Sequence, residues 1–281
     1  MRGEAKPLAP GLYLVATPIG NLGDITLRAL EVLATADLVL AEDTRVSGKL
    51  LAAHDIKARL DRYDEHSAPR ARPKILAALA AGGRVALISD AGTPLVSDPG
   101  YRLVKEAVAQ GSTVYPIPGA SAVMAGLTVA GLPTNRFLFA GFPPPRSTAR
   151  RAFLEELAAI RATLIFFEGG SRLAASLADM AGVFGPREAA VARELTKLHE
   201  TVVRGPLDVL AADVRFTAPK GEIVVVVGPG EEAAATEEQA DAALTEALAR
   251  VGPAEAASEV ARALRLPRRE LYARALVLRG R

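Results

Sequence analysis

The chain has 281 residues, of which 50% are hydrophobic, a net charge of +2 and a mean hydropathy of +0.20. This length predicts two domains with an additional segment at one end. The absence of cysteine excludes disulfides, thiolate nucleophiles and cysteine-bound metals. No apolar run reaches the roughly 18 uncharged residues that a membrane span needs, and residues 1–7 contain no apolar signal segment. We therefore expect a soluble, cytoplasmic protein with no membrane partner.

Four short apolar runs in the first half each predict a buried strand that ends in a loop. The runs are Leu12–Ala16, Leu38–Ala41, Val85–Ile88 and Thr113–Ile117. The intervening helices are predicted over Leu27–Ala34, Lys49–Ala53, Ile75–Leu79 and Leu103–Val108, with Asp61–Pro69 as a polar connector. This alternation of strands and helices predicts an α/β domain over residues 11–120.

The loop at Ser89–Gly100, read S-D-A-G-T-P-L-V-S-D-P-G, is the most distinctive stretch of the chain. Glycine and proline set unusual backbone angles, and Asp, Ser and Thr bond to nearby backbone amides. Ligands of open α/β sheets bind outside the carboxyl ends of the strands, so a loop of this kind after a strand predicts a ligand cradle. The alternative is a tight connection between a strand and a capped helix.

Three other loops of the first half carry chemistry that is compatible with a ligand. The loop T-P-I-G-N-L-G-D (17–24) matches neither the dinucleotide pattern G-x-G-x-x-G nor the phosphate-loop pattern G-x-x-x-x-G-K-[ST]. The run A-E-D-T-R (41–45) places charged residues at a strand end, where they are costly to bury unless paired or used. It is a site candidate, with an internal Asp–Arg pair as the alternative. The small residues of P-G-A-S-A (118–122) precede a predicted helix, Val123–Val129, and let a ligand approach the backbone.

The second half repeats the alternation and predicts a second α/β domain over residues 121–230. Its strands are predicted at Arg136–Ala140, Thr163–Phe167, Ala189–Ala192 and Ile223–Val227, with a helix at Phe153–Ala159. Charged residues follow these strands and could act as general bases or hold phosphate, although a structural salt bridge is the alternative for each one. They are Glu168, Arg172, Arg193, Glu194, Lys197, Glu200, Lys220 and Glu222. The three histidines lack the spacing of a metal site, so we expect no metal. The chain contains no G-x-S-x-G elbow, which disfavours a serine hydrolase.

The C-terminal segment has a strongly asymmetric charge. Residues 231–261 contain eight acidic residues and one Arg, whereas residues 262–281 contain seven Arg and one Glu. This pattern predicts an acidic linker and an Arg-rich helical module over residues 231–281, with a turn at Leu266-Pro267, that could contact phosphate. A solvated helical face is the alternative.

Five motifs stand in an order and spacing that resemble one known family. They are T-P-I-G-N-L-G-D (17–24), A-E-D-T-R (41–45), S-D-A-G-T-P-L-V-S-D-P-G (89–100), R-E-L-T-K (193–197) and K-G-E (220–222). The chain is similar to the ribosomal RNA small-subunit methyltransferase I branch of the tetrapyrrole-methylase-like, S-adenosylmethionine-dependent enzymes. One departure is E-G-G-S-R (168–172), which replaces an E-S/A-P-H-R-like run and leaves no histidine there.

The resemblance implies a homodimer of two α/β domains that hold S-adenosylmethionine in the cleft between them, with methyl transfer to the ribose 2′-hydroxyl of a cytidine in 16S ribosomal RNA. The substrate would be the RNA or the assembled 30S subunit. The implied donor-binding residues are Pro18, Gly20, Asp90, Gly92, Thr93, Pro94, Ser121, Ala122, Phe167, Ala192 and Gly221. We expect the hydroxyl to be polarised or positioned by Glu42, Asp43, Glu168 and Lys197. The expected RNA-binding residues are Arg45, Arg172, Arg193, Lys220, Arg268 and Arg269. The alternative functions are a tetrapyrrole C-methyltransferase and a ribosome-binding factor without catalysis.

Overall fold

The computed structural model describes residues 8–217, 219–230, 237–264 and 266–279. These residues fall into two compact units, and the boundary between the units lies between Gly230 and Glu231. None of the helices in these ranges is both long enough and apolar enough to cross a membrane. The predicted division of the first unit after residue 120 stays a prediction.

The first sheet of the larger unit has five parallel strands in the order β3-β2-β4-β1-β5. Its strands are β1 (Gly11–Val15), β2 (Leu38–Ala41), β3 (Leu60–Arg62), β4 (Arg84–Ile88) and β5 (Val114–Ile117). The helices of this half are α1 (Leu27–Thr35), α2 (Thr44–Ala53), α3 (Ala68–Ala80), α4 (Tyr101–Ala109) and α5 (Ala122–Ala130). Because the strands are parallel, the loops that follow β1, β2, β4 and β5 meet at one edge of the sheet. These are the four loops that the sequence singles out.

The second sheet has five strands in the order β6-β7-β10-β8-β9 and is mostly antiparallel, since only β6 and β7 run parallel. Its strands are β6 (Phe137–Phe139), β7 (Thr163–Gly169), β8 (Glu188–Arg193), β9 (Thr201–Pro206) and β10 (Glu222–Val227). The accompanying helices are α6 (Ser147–Ala158), α7 (Leu173–Phe184) and α8 (Leu207–Ala211). Strand β10 lies at the centre of the sheet, and its continuous run of branched residues is buried.

Helix α5 joins the two halves of this unit. It begins directly after β5 of the first sheet, but its apolar side chains pack on the second sheet. Val123 and Leu127 lie in one core cluster with Ile165 of β7 and Val224 of β10. The loop before α5 is thereby held between the two sheets.

The two predicted α/β layers are confirmed, but the predicted connector at Asp61–Pro69 is too long at both ends. Strand β3 takes its first residues and α3 begins at Ala68. Strand β9 and helices α7 and α8 are further elements that the sequence patterns did not predict. Strands β3 and β9, which the sequence patterns did not predict, lie at sheet edges and carry polar side chains. They therefore lack the apolar run that marks a central strand.

The C-terminal unit consists of three helices, α9 (Glu237–Leu248), α10 (Pro253–Leu264) and α11 (Arg268–Arg279). Leu244, Val260 and Leu271 form part of its own small core. The predicted turn at Leu266-Pro267 separates α10 from α11, and the expected helical module is confirmed. Helix α9 and most of α10 lie in the stretch that the charge pattern assigns to an acidic linker, so the helical part begins earlier than predicted. Residues 231–236 of the predicted acidic linker lie outside the described residues.

Candidate active site

The segment Ser89–Thr93 connects the four loops at the carboxyl edge of the first sheet. Thr17 and Gly92 exchange two backbone hydrogen bonds of 2.9 and 3.0 Å, which join the first loop to this segment. The Asp90 carboxylate accepts a 3.0 Å hydrogen bond from the backbone N–H of Asp43. The Thr93 hydroxyl donates a 3.2 Å bond to the carbonyl of Ala120. The predicted cradle is therefore one rigid assembly of four loops.

A cavity of about 380 Å³ lies against this assembly, between the two sheets. This volume is within the range of small-molecule sites. The first half of the chain contributes Ile19, residues 90–93 and 96–98, and the start of α5. The second half contributes residues at the end of β7, the beginning of β10, and Leu195. An aromatic wall stands on the second-half side, where Phe142 and Phe167 meet edge to face with ring centroids 5.5 Å apart.

The cavity is lined by carboxylates and has no basic side chain. Asp90, Asp98, Glu168 and Glu222 line it, and none of the described lining residues is a lysine, arginine or histidine. Glu168 is paired with Arg172 and Glu222 with Lys197, so Asp90 and Asp98 give the lining most of its negative charge, which attracts a cation and repels a phosphate. The chemistry of the lining thus agrees with the exclusion of dinucleotide and phosphate-loop sites from the sequence.

Two carboxylates beside the cavity are unusually hard to ionise. Burial raises the pKa of Asp98 to about 6, and the charge of Asp90 adds to the shift while a hydrogen bond from Ser89 opposes it. Burial also raises the pKa of Glu42, with further contributions from the charges of Asp98 and Asp90. Perturbed carboxylates in a cleft are typical of functional sites.

Lys197 is held in a network of carboxylates and is not in a position to act as a base. Its ammonium lies 2.8 Å from Glu194 Oε1 and 3.0 Å from Glu222 Oε2. Burial disfavours the charged form, but the hydrogen bonds to Glu194 and Glu222 together outweigh it and raise the pKa of Lys197 above its ordinary value. Lys197 is therefore a cation at neutral pH, and through Glu222 it braces one side of the cavity.

Glu168 and Asp43 are both engaged in local hydrogen bonds. The buried Glu168 carboxylate is 2.8 Å from Arg172 and accepts hydrogen bonds from the Ser176 hydroxyl and from the N–H of Gly169. Asp43 caps α2 and pairs with Arg45 at 2.6 Å. Hydrogen bonds from Arg45 lower the pKa of Asp43. These are the structural pairs that the sequence left open as alternatives, and they fix the loops around the cavity.

Backbone strain is concentrated in the two loops that face each other across the site. Five described non-glycine residues have positive φ, and four of them lie in these loops: Leu95, Ser97, Glu194 and Thr196. Such conformations cost of order 1–3 kcal/mol each and persist where the surroundings enforce them. Their clustering indicates that the loop geometry is specified for function.

Seven of the eleven predicted donor-binding residues line the cavity. These are Asp90, Gly92, Thr93, Ser121, Ala122, Phe167 and Gly221. The other four do not line it: Pro18, Pro94 and Ala192 are buried behind it, and Gly20 is exposed beneath the Lys197 side chain. Pro18 and Gly20 flank Ile19, which does line the cavity.

The predicted RNA-binding residues are spread over both units. Arg45 and Lys220 are exposed, and Arg172 is paired with Glu168. Arg193 donates to the carbonyls of Lys220 and His199 and so fixes the R-E-L-T-K loop internally. Arg268 and Arg269 are exposed in the first turn of α11.

Two lining residues with chemistry of their own, Asp98 and Phe142, are not among the residues that the sequence predicts for the site. Asp98 lies in the central loop, but its partial burial depends on chain segments that are distant in sequence. Phe142 follows β6 in a Gly-Pro-rich break and lines the cavity while more than half exposed. The signal for Asp98 was the second aspartate in one ligand-type loop.

Comparison with known proteins assigns the chain to a family. Residues 11–211 match the family described as Tetrapyrrole (Corrin/Porphyrin) Methylases, and residues 233–279 match the RsmI C-terminal HTH domain. The ribosomal RNA small subunit methyltransferase I of Mesorhizobium japonicum is 54% identical over 277 residues, which cover 98% of this chain and 94% of that protein. The chain belongs to the ribosomal RNA small subunit methyltransferase I family.

A second family member, from Erythrobacter litoralis, is 55% identical over 276 residues, which cover 98% of this chain and 98% of that protein. The crystal structure of uroporphyrin-III-C-methyltransferase from Thermus thermophilus has the same fold, with a TM-score of 0.56 at 24% identity over 78% of this chain and 94% of that one. The resemblance, the fold and the prediction of a methyltransferase enzyme are confirmed. Membership of the small subunit methyltransferase I family implies a methyl donor. Within the described ranges, no group of three or more His, Asp or Glu side chains could hold a metal ion.

Proposed function

We propose that this chain transfers a methyl group from S-adenosylmethionine to the ribose 2′-hydroxyl of a cytidine in 16S ribosomal RNA. The observation that supports this most directly is the carboxylate-lined cavity between the two sheets, in a chain whose relatives are named as small-subunit ribosomal RNA methyltransferases. We further propose that the enzyme is a cytoplasmic homodimer that acts on the RNA or on the assembled 30S subunit.

The residues present fit this methyl donor. S-adenosylmethionine carries a sulfonium cation and a planar adenine, and the cavity offers four carboxylates and the Phe142–Phe167 aromatic wall. Backbone of Gly92 and Gly221 and the small side chains of Ser121 and Ala122 leave room for close approach. Pro18, Gly20, Pro94 and Ala192 would support these lining residues from behind.

When bound, the donor supplies an activated methyl carbon on sulfur, whose carbon–sulfur electron pair stays on sulfur as the acceptor oxygen bonds to the carbon. The protein then has to align the acceptor hydroxyl and exclude water, and alignment of this kind supplies roughly 7–11 kcal/mol of a barrier. We propose that Glu42 and Lys197 position the acceptor at the cavity rim. Asp43 and Glu168 act as positioning residues for the cavity wall. The backbone of Asp43 holds the Asp90 side chain, and the carboxylate of Glu168 holds the backbone at the end of β7.

Basic residues would hold the RNA backbone: most of them are exposed, whereas Arg172 is half-buried and paired with Glu168. We propose this role for Arg45, Arg172 and Lys220 in the larger unit and for Arg268 and Arg269 in α11, because Arg and Lys bind phosphate oxygens without reading sequence. Arg193 would act indirectly, since its guanidinium fixes the loop that carries Lys197.

Two measurements test the proposed function. Titration calorimetry with S-adenosylmethionine should give one site per chain, whereas a binding factor without catalysis gives no heat. Labelled methyl groups should then pass to small subunits purified from a strain that lacks the enzyme, and the labelled nucleotide should resist alkaline cleavage at its 3′ side. Turnover on a porphyrinogen, with no transfer to RNA, would instead establish the tetrapyrrole methyltransferase alternative.

Single substitutions test the assigned roles. Glu42→Ala and Lys197→Ala should each lower the rate of methyl transfer while the chain keeps its melting temperature within a few degrees. Lys49→Ala on α2 serves as the control because it removes an exposed charge that does not line the cavity. Wild-type rates for both site variants would contradict the assignment.

A further inference from the structure

A second cavity adjoins the proposed donor cavity and shares one residue with it. This cavity has a volume of about 440 Å³ and lies between α3, α4 and the loop after β3. Asp98 lines both cavities, so its carboxylate stands in their common wall. Asp98 is the one described residue common to the linings of the two cavities.

The second cavity differs from the first in its chemistry. Tyr63 and Tyr101, together with Arg72 and Arg102, line it, whereas no tyrosine or basic residue lines the first cavity among the described residues. Tyr101 is 68% exposed and Arg102 is also exposed, both in the first turn of α4. Arg72 is anchored by Glu106 at 2.9 Å and by the Tyr63 hydroxyl. Part of the wall is therefore fixed, and part is open to a ligand.

An aromatic ring beside guanidinium groups is the chemistry that binds an unstacked nucleotide. Bases of single-stranded RNA stack on aromatic side chains, and Arg holds the adjoining phosphates. Enzymes that act on a nucleotide within a folded nucleic acid take it out of the stack into a pocket. The first cavity has the charge for a sulfonium, and the second has the charge and the aromatic surface for a nucleotide.

We propose that the second cavity receives the acceptor nucleotide and that Asp98, in the wall shared by the two cavities, accepts the proton of its ribose hydroxyl. This inference rests on the proposed function, because it assigns the acceptor side of that reaction. The step balances: the hydroxyl oxygen gives an electron pair to the methyl carbon, its proton passes to an Asp98 carboxylate oxygen, and the carbon–sulfur pair stays on sulfur. Water then removes the proton from Asp98.

The surroundings of Asp98 suit this role. Burial and the charge of Asp90 disfavour the ionised form of Asp98, and Asp98 in turn disfavours that of Glu42. Asp98 shares the lining of the first cavity with Glu168 and Glu222, and that of the second with Glu65, Arg72 and Arg102. A carboxylate whose pKa lies near 6 is ionised at neutral pH and is still basic enough to take a proton usefully.

The test separates proton transfer from nucleotide binding. Asp98→Asn should lower kcat by about 10²–10⁴-fold and abolish the rise of kcat between pH 5 and 7, while affinity for small subunits stays at the wild-type value. Tyr101→Ala and Arg102→Ala should each weaken binding to small subunits by about tenfold or more, with calorimetric affinity for S-adenosylmethionine unchanged. The controls are Asp61→Asn on β3 and Lys105→Ala on α4, which remove exposed charges outside both cavities.

The outcomes distinguish this inference from the proposed function. If the wild-type enzyme methylates small subunits and Asp98→Asn keeps the wild-type kcat and pH profile, the role of Asp98 is overturned. If Tyr101→Ala and Arg102→Ala bind small subunits as tightly as Lys105→Ala does, the acceptor cavity is overturned. If the wild-type enzyme binds S-adenosylmethionine but methylates neither free 16S RNA nor small subunits, the proposed function fails, and this inference fails with it.

Discussion

Replacing Gly221 by alanine should weaken donor binding by distorting one wall of the cavity. Gly221 has φ of +102°, which an L-residue rarely adopts. A Cβ atom there would lie 2.7 Å from Cγ of Glu194 and closer still to its carboxylate. Glu194 would have to move and would lose its 2.8 Å contact with Lys197 and its 3.0 Å hydrogen bond from the N–H of Glu222.

Two costs contribute to the effect of Gly221→Ala. The backbone strain is of order 1–3 kcal/mol and lowers the stability of the fold. The loss of the Glu194 contacts is worth about 1 kcal/mol in this partly exposed network. The same loss removes the hydrogen bond that holds the backbone of Glu222, and Glu222 lines the cavity. Because about 1.4 kcal/mol corresponds to a tenfold change in a dissociation constant, this loss of about 1 kcal/mol corresponds to a fall in donor affinity of about fivefold.

Gly82→Ala is a matched control for the strain alone. Gly82 has φ of +84° in the turn before β4, and a Cβ atom there would meet nothing within 4 Å. Both variants should lose thermal stability in calorimetric scans, but only Gly221→Ala should lose affinity for S-adenosylmethionine in titration calorimetry. The reasoning is refuted if the two variants melt at similar temperatures and bind the donor equally well.

Two further predictions concern stability and RNA binding. Burial raises the pKa of Asp98 in the folded chain to about 6. The free energy of unfolding therefore contains the whole contribution of protonated Asp98 below about pH 4 and loses it as pH rises through about 6. Asp98→Asn should therefore be more stable than wild type at pH 8, by about 1–2 kcal/mol after allowance for partial exposure, and the difference should vanish near pH 4 in denaturant titrations. Replacing Arg268 and Arg269 together by alanine should lower the slope of log affinity for small subunits against log salt by about 1–2. Arg274→Ala is the control, because Arg274 is paired with Asp241 within the helical unit and should leave the slope unchanged.

The sequence predicted the central strands better than the edges of the sheets. The runs at Val85–Ile88 and Ile223–Val227 are buried on both faces, and continuous apolar residues mark such strands. Strand β9, with exposed Thr201 and Arg204, has no such run. It is fixed by pairing with β8, which is a contact that no local pattern contains.

The sequence brought most of the predicted donor residues to one cavity but did not rank the charged residues. Loop composition after β4 and β5 predicted backbone that lines the cavity, whereas Pro18 and Gly20 after β1 do not line it, and seven of the eleven predicted donor residues do. The charged residues could not be ranked in the same way. Glu168 is paired with Arg172, whereas Asp98 is half-buried, and its pKa is raised by burial and by the charge of Asp90. Both facts depend on side chains that meet only in the folded chain.

The distribution of charge distinguishes the two cavities, since the first has an acidic lining and the second contains Arg72 and Arg102. Burial and, after it, the repulsion among Asp90, Asp98 and Glu42 raise the pKa values of Asp98 and Glu42, so this cluster of like charges is unfavourable in the protein alone. A sulfonium beside the cluster offsets that repulsion and favours the ionised form of Asp98. Binding of the proposed donor would thus prepare the same carboxylate that is to accept a proton from the other side. The loop Ser89–Gly100 carries both aspartates, and its strained residues Leu95 and Ser97 lie between them. We infer that the costly backbone conformation at that point lets one short segment place Asp90 in the lining of the first cavity alone and Asp98 in the lining of both.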